Sequence, residues 1–443
     1  MLLHDLVDCS TQIAATRSRL RKRALLSDLL CRASAAERPL LVHYLVGTLP
    51  QGKVGLGPAL VRKMAAQPPA SVPSLELQAV DAAFQALALI QGAGSQARRE
   101  RALGELYGRA TSAEQAFLGR LILGELRQGA LEGLLVEGIA EAARLPVADV
   151  RRAVMLAGHP AEVAVAALDD GAAGLSRFRL QPLTPVQPML AQPAETVVDV
   201  LAELDEAALE IKLDGARVQI HKAGDAVRIF TRQLHEVTAR LPEIVALTQA
   251  LPIESTILDG EVLAFRADGR PQPFQVTMRR FGRKVDIEAL RDALPLEVRL
   301  FDCLHIDGAD LIDQPARERF GALRGLAGAE HCVPQLITGD PAAAQSFLDQ
   351  ALAAGHEGVM AKALESPYAA GSRGADWRKI KQVHTLDLVV LAAEWGSGRR
   401  QGWLSNLHLG ARDPQTGGFV MLGKTFKGLT DELLAWQTEQ LQR

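Results

Sequence analysis

Lys212 lies in the stretch Glu210-Ile211-Lys212-Leu213-Asp214-Gly215, where residues alternate as in a strand and then meet a turn pair. Alternation resumes at Arg217-Val218-Gln219-Ile220, so the spacing predicts two strands joined by a sharp Asp-Gly reversal. An amine held rigidly near a strand end, and kept unprotonated, can attack phosphorus or a carbonyl carbon. Taken alone, the motif reads more simply as a β-hairpin bearing a surface lysine.

Four later clusters change that reading. They are Leu258-Asp259-Gly260-Glu261-Val262, Leu300-Phe301-Asp302-Cys303-Leu304, His356-Glu357-Gly358-Val359-Met360-Ala361-Lys362, and Tyr368, Gly371 and Arg373 followed by Trp377-Arg378-Lys379-Ile380-Lys381. Each alone is a turn, a core aromatic or a solvated edge strand. Together they supply what nucleotidyl transfer to an amine needs. Lys212 can be the nucleophile only if its pKa falls, which neighbouring Lys379, Lys381 and a bound divalent ion would bring about. Glu261 and Glu357 offer hard oxygens to Mg²⁺ or acceptors to a ribose. Phe301 can stack on a base, while Arg217, Arg232 and Arg373 can hold ribose and phosphate oxygens. Preorganised positive charge around phosphorus is then the main source of rate.

The elements that must position these groups fall into distinct regions of the 443-residue chain, which is long enough for two or three cores. Residues 1–180 are rich in Ala, Leu, Arg and Glu at helical spacing, as in 81–90 and 113–122, and predict an all-α domain. Three glycine-bearing connectors punctuate it: residues 49–57, residues 92–99 with Gly92, Gly94, Ser95 and Arg98, and residues 124–129 with Arg127. They are either helix caps or loops whose amides approach a phosphate backbone without reading sequence. Residues 179–194 hold four prolines, exclude a regular element, and mark a linker at 181–195. From 196 to 386 strands are expected at 227–231, 256–265, 297–306, 357–363 and 377–381, with helices at 236–251 and 340–354, giving an α+β domain. Residues 387–443 hold strands at 388–394, 406–411 and 419–424 and a helix at 430–441, resembling the first part of an OB barrel. Two strands of such a barrel are wanting, so the chain is expected to stop inside that domain as a fragment.

Composition narrows the setting. No apolar run is long enough to span a bilayer, and the N-terminus carries acids where a signal peptide carries bases, so a cytoplasmic protein is expected. Cys9, Cys31, Cys303 and Cys332 are widely spaced, which predicts buried free thiols in place of zinc or disulfides. Net charge is −3, divided as +4 over residues 1–180 and −7 over the remainder, a weak bias. Gly418-Phe-Val-Met-Leu-Gly423-Lys424-Thr425 matches the P-loop pattern, but its centre alternates as a stiff strand and no helix follows at once.

The five clusters in order resemble motifs I, III, IIIa, IV and V of the ATP-dependent DNA ligases, within the covalent lysyl-nucleotidyltransferases. The helical region resembles those ligases' N-terminal DNA-binding domain at residues 92–96 and 124–129, and the whole looks most like the archaeal-type ligases found also in some bacteria. The resemblance implies that Lys212 becomes lysyl-AMP. It also implies that Glu210, Arg217, Arg232, Glu261, Phe301, Arg373 and Lys379 contact ATP or AMP, with Lys381 on the α-phosphate and Mg²⁺ at Glu261 and Glu357. AMP would pass to the 5′-phosphate of nicked double-stranded DNA, and the 3′-hydroxyl would displace it. A monomer closing as a clamp is expected; clamp-type protein partners are left open. The family's sixth, basic motif is absent before Arg443, so weak self-adenylylation with retained sealing of an adenylylated nick is expected. The rivals are an RNA ligase or mRNA-capping guanylyltransferase, and a DNA-binding protein with a decayed pocket. An NAD-dependent ligase is disfavoured by the missing four-cysteine zinc module.

Overall fold

The computed structural model describes residues 1–52, 54–126, 132–282, 291, 293–369, 374–381, 385–397, 400–426 and 428–443. It forms two compact units, Met1–Lys381 and Gln382–Arg443.

The first part of the larger unit is helical: α1 (Leu3–Ala15), α2 (Arg19–Arg32), α3 (Arg38–Leu45), α4 (Pro58–Ala65), α5 (Leu77–Leu89), α6 (Ser95–Gly108), α7 (Ser112–Ile122), α8 (Glu132–Ala143), α9 (Val147–Ala157) and α10 (Pro160–Leu175). Helical spacing selects what each buries; in α5 it is Leu77, Val80, Phe84 and Leu87. Local chemistry sets the starts. Thr111 and Glu114 form a reciprocal capping box at α7, satisfying amides that no helical carbonyl can reach.

One polar contact inside this region titrates. The rings of His43 and His159 stack with centroids 4.1 Å apart, and His159 Nδ1 accepts from the Ala161 amide to cap α10. Burial pushes both imidazoles below their ordinary value, His43 to about 4, with repulsion from His159 adding to it. A depressed imidazole contributes stability that is complete above about 6.5 and is lost as pH falls through about 4. Acidification across that window should therefore cost on the order of 2 kcal/mol, discounted for the half-buried ring. Urea midpoints measured across pH should show the loss, and His43→Phe, which keeps a stacked ring without a titrating nitrogen, should shrink it to the part that His159 contributes. An equally steep His43→Phe profile would assign the loss to other groups.

Beyond the helices come β1 (Gln192–Ala194), α11 (Val197–Leu204), β2 (Ala207–Lys212), β3 (Ala216–Ala223), β4 (Ala226–Thr231), α12 (Pro242–Gln249), β5 (Ser255–Leu263), α13 (Phe274–Gly282), β6 (Glu297–Ile306), β7 (Ala309–Asp310), α14 (Ala316–Ala327), β8 (Gln335–Thr338), α15 (Pro341–Ala353), β9 (Gly358–Ala363) and β10 (Trp377–Lys381). Among the described residues these strands make two five-stranded sheets, ordered β1-β10-β9-β2-β8 and β4-β3-β5-β6-β7.

Three expectations change. First, β2 and β3 are not hairpin partners, because the Asp-Gly turn carries the chain from one sheet to the other. Gly215 has ordinary backbone angles, yet a Cβ there would lie 2.5 Å from the Val262 carbonyl oxygen. Close approach to β5, and not turn geometry, selects glycine. Second, the proline-rich stretch does contain a regular element. β1 pairs in parallel with β10, and Pro193 is tolerated because β1 is an edge strand. Third, the helix expected from 236 begins only at Pro242, after one 3₁₀ turn at Thr238–Arg240. Proline suits the first helical turn, where no amide partner is lost, and it keeps Leu241 out of helical angles.

Among the thiols, Cys9, Cys303 and Cys332 are buried as expected, whereas Cys31 is exposed; all four are free. No helix of the described residues is long and apolar enough to cross a membrane. In the smaller unit β11 (Val389–Trp395), β12 (Leu404–Arg412) and β13 (Phe419–Thr425) form an antiparallel sheet. It is closed on one side by α16 (Asp431–Leu441), whose Thr438 hydroxyl accepts from the Leu404 amide at 2.9 Å. The P-loop look-alike is strand β13, paired along its length with β12, and cannot cradle phosphate.

Candidate active site

One face of the first sheet gathers the chemistry. Lys212 lies opposite Gly358 and, one strand further, Lys381; Glu210 opposite Met360 and Lys379; Ala208 opposite Lys362 and Trp377. Alternation places all of these on one side. The intervening Leu209, Val359, Ala361 and Ile380 face the other way and pack with residues of α11 and α15. Buried apolar surface thus holds the site's strands in register from behind.

The second sheet supplies the opposite wall. Arg217 and Glu261 are cross-strand partners on β3 and β5. Between the pairs Gly260–Leu300 and Asp259–Asp302, Phe301 is left without a partner. It is the extra residue of a β-bulge, a device that re-aims a side chain. The two walls enclose a cavity of about 490 Å³, within the range of nucleotide-sized pockets. Its lining brings together Lys212, Glu210, Arg217, Arg232, Glu261, Phe301 and Lys379 from the sequence reading.

Glu357 joins them through ion pairs. Its carboxylate accepts from Lys212 Nζ and, at 2.7 Å, from Lys381 Nζ. Burial pushes the Glu357 carboxyl up, but these two hydrogen bonds outweigh it and hold the group below the usual carboxylate range. Glu261 is the reverse case. Burial pushes its carboxyl up to about 7, against the opposing charges of Arg217 and Lys212. Two carboxyls with opposed shifts beside one amine make the cavity a functional-site candidate.

Arg373 and Arg127 lie outside the described residues. Gly92 and Gly94 both have left-handed backbone angles, with φ of 82° and 71°, and a Cβ on either would meet nothing within 4 Å. Gly94 caps α6 directly before Ser95. Arg98 turns back on its own loop, donating to the Gln91 carbonyl at 2.6 Å. The turn is a helix cap with open space beside its backbone.

Some participants carry no role in the sequence reading. Asp259, 1 % exposed, accepts from Arg217 at 2.8 Å and from the Tyr368 hydroxyl at 2.5 Å. Arg217 also donates to the Met189 carbonyl at 2.7 Å, so the proline-rich stretch is anchored to the site. From α13, Phe274, Met278 and Phe281 line the cavity at spacings of four and three. That periodicity in Phe-Gln-Val-Thr-Met-Arg-Arg-Phe was the available signal.

Residues 188–381 match the family model described as ATP dependent DNA ligase domain, and residues 59–140 match DNA ligase N terminus. The chain is 58 % identical over 443 residues to a probable DNA ligase of Anaeromyxobacter sp. (strain Fw109-5), covering all of this chain and 85 % of that one. The chain belongs to the ATP-dependent DNA ligase family. The ligase is also 55 % identical over 442 residues to a probable DNA ligase of Sorangium cellulosum, covering all of its own length and 83 % of that relative. The fold extends to the solved structure named Pmar-Lig_PreS3, with a TM-score of 0.64 at 17 % identity over 99 % of this chain and 91 % of that one. Its reaction is ATP-dependent DNA ligation, which by the family mechanism passes through lysyl-AMP, and the RNA-directed and non-catalytic alternatives give way to it.

A local consequence follows for the ligase. Gly215→Ala would drive a methyl to 2.5 Å from the Val262 carbonyl and 3.0 Å from Glu261 Cγ. Strand β3 must then back away, and Lys212, three residues earlier, moves with it. Self-adenylylation should fall about 100-fold, the typical cost of an ångström's misplacement. Single-turnover labelling checks this; a rate within threefold of wild type would show that the turn absorbs the methyl.

Proposed function

We propose that the cavity between the two sheets binds ATP, with Lys212 as the residue that takes AMP. The observation that carries this is the placement of Lys212 in one cavity with Glu261 and Lys379, tied through Glu357 to Lys381. Lys212 Nζ attacks the α-phosphorus and pyrophosphate departs. An ammonium has no lone pair to offer, so Nζ passes a proton to the Glu357 carboxylate, and through it to water, and the pair opens before attack. Lys379, Lys381 and Arg232 meet charge developing on the phosphate oxygens, and Phe301 provides the aromatic face for the base. Glu210 and Arg217 complete the nucleotide contacts.

Glu261 and Glu357 fit Mg²⁺, which takes one or two carboxylates and fills its remaining positions with phosphate oxygens and water. Among the described residues no cluster of three or more acidic, histidine or cysteine ligands makes a dedicated cage. The ion would neutralise phosphate charge there. The acceptor is a nick in duplex DNA, positioned by amides of the loop at Gly92, Gly94 and Ser95, by Arg98, and by Arg127. The enzyme acts as a cytoplasmic monomer.

Incubation with α-labelled ATP, or with labelled NAD, followed by nicked DNA or nicked RNA, tests the assignment. Label should enter protein from ATP alone, only with a divalent ion, and leave on nicked DNA. Label from NAD, or transfer to RNA at an equal rate, would overturn it.

A further inference from the structure

The cavity lining includes a buried cation that the phosphate chemistry does not use. Lys362 is 1 % exposed, and its ammonium has two polar partners and two aromatic neighbours. It pairs with Glu210 at 2.6 Å and donates to the Phe301 carbonyl at 3.0 Å. It also lies 4.4 Å from the ring centre of Trp377 and 4.7 Å from that of Phe301. The other Glu210 oxygen accepts from Gln335 at 3.0 Å. Both carboxylate oxygens are thereby fixed, each with a second lone pair, and Glu210 and Lys362 both line the cavity.

We infer that Lys362 is a positioning residue for base selection, holding Glu210 as an ionised, acceptor-only edge that favours a purine carrying a 6-amino group. The inference rests on the assignment of ATP to this cavity. An ionised carboxylate can accept a hydrogen bond and cannot give one. An exocyclic amine facing it gains a charge-assisted bond, whereas a base edge without a donor leaves a buried anion short of a partner. Burial pushes the Glu210 carboxyl up and Lys362 opposes that, so removing the lysine frees the group to rotate and to take a proton. A buried lysine–glutamate pair can instead serve packing alone, and the two roles separate in one ratio.

The probe is purine riboside triphosphate, which is ATP without the 6-amino group, used beside ATP in self-adenylylation. Wild-type kcat/KM should favour ATP by roughly 10- to 100-fold, the worth of one hydrogen bond to a charged group. Lys362→Met should bring the ratio to within about threefold of one, through loss with ATP and not with the analogue, and Lys362→Arg should restore part of it. If Lys362 acts only through Glu210, Glu210→Gln and Glu210→Gln with Lys362→Met should share one ratio. Equal losses for both nucleotides in Lys362→Met, or a further fall in the double variant, would reduce Lys362 to a structural role. Should Lys362→Met fail to fold, the Glu210→Gln comparison decides, because the double variant leaves no unpaired buried charge. A wild-type ratio near one overturns the inference while leaving ATP in the cavity; a wild type that neither takes label from ATP nor binds it in equilibrium dialysis overturns the ATP assignment itself, and where labelling is weak the two dialysis affinities give the ratio.

Discussion

Lys212→Ala removes covalent labelling by ATP, by on the order of 10⁴-fold or more, while sealing of a nick that already carries AMP falls only about 10- to 100-fold. The asymmetry follows from the two jobs the side chain can do. In the first step, on the assignment proposed above, its nitrogen forms the new bond to phosphorus from the last position of β2, where it is ion-paired with Glu357. Lys379 is one register pair away on the same face and Lys381 is held by the same carboxylate, but β10 places both across the intervening strand β9. In the last step the bond forms between two DNA atoms. There Lys212 contributes one cation among several, so its loss removes part of an electrostatic field and not a reactant. Gel assays with α-labelled ATP and with a synthetic adenylylated nick read the two steps separately. Wild-type labelling in the alanine variant would place the nucleophile elsewhere; sealing lost as completely as labelling would mean that the amine also organises the nick.

Much of this site is legible in the sequence because strand grammar is local. The bounds expected for β6 and β10 are those observed, since alternation over a short run signals a half-buried strand wherever it packs. Lys212, Glu261, Phe301, Glu357 and Lys379 could be named because each falls on such a strand or at its end. What the alternation hides is the partner. Tyr368 bonds Asp259 from 109 residues away, and nothing near either residue signals the other. The bulge that turns Phe301 toward the cavity is equally silent, because one extra residue in a ladder shows only against the opposite strand. Gly215 invited a reading by turn type, and its constraint is the approach of β5. In the proline-rich stretch the local rule held for most residues but failed at Pro193, where an edge strand needs no amide. Arg217 reads in the sequence as a free cation, and nothing there shows it as a bridge from Asp259 to Met189.

The same logic of distant partners sets the largest stability effect. Arg319 and Asp302 are both fully buried, with hydrogen bonds of 2.8 and 3.1 Å from Nε and Nη2 to the two carboxylate oxygens. Arg319 also donates to the carbonyls of Gln314 and Ser366, so one side chain ties α14, β6 and the segment before Tyr368. Arg319→Met should lower folding stability by about 3–5 kcal/mol, because it strands a carboxylate where water cannot reach it. The cost belongs to the orphaned charge and not to the lost attraction. Adding Asp302→Leu should therefore return most of the loss, and this double variant should unfold nearer to wild type than either single change. The site should still register the repair as incomplete. Asp302 follows Phe301 directly and Arg319 lies 5.9 Å from the Tyr368 ring, so ATP affinity should stay weakened after stability recovers. Urea unfolding and single-turnover labelling on the same three variants separate the two quantities. A single variant that loses less than about 1 kcal/mol would mean that water or another cation reaches Asp302, and the dry pair would not be what holds β6 in place.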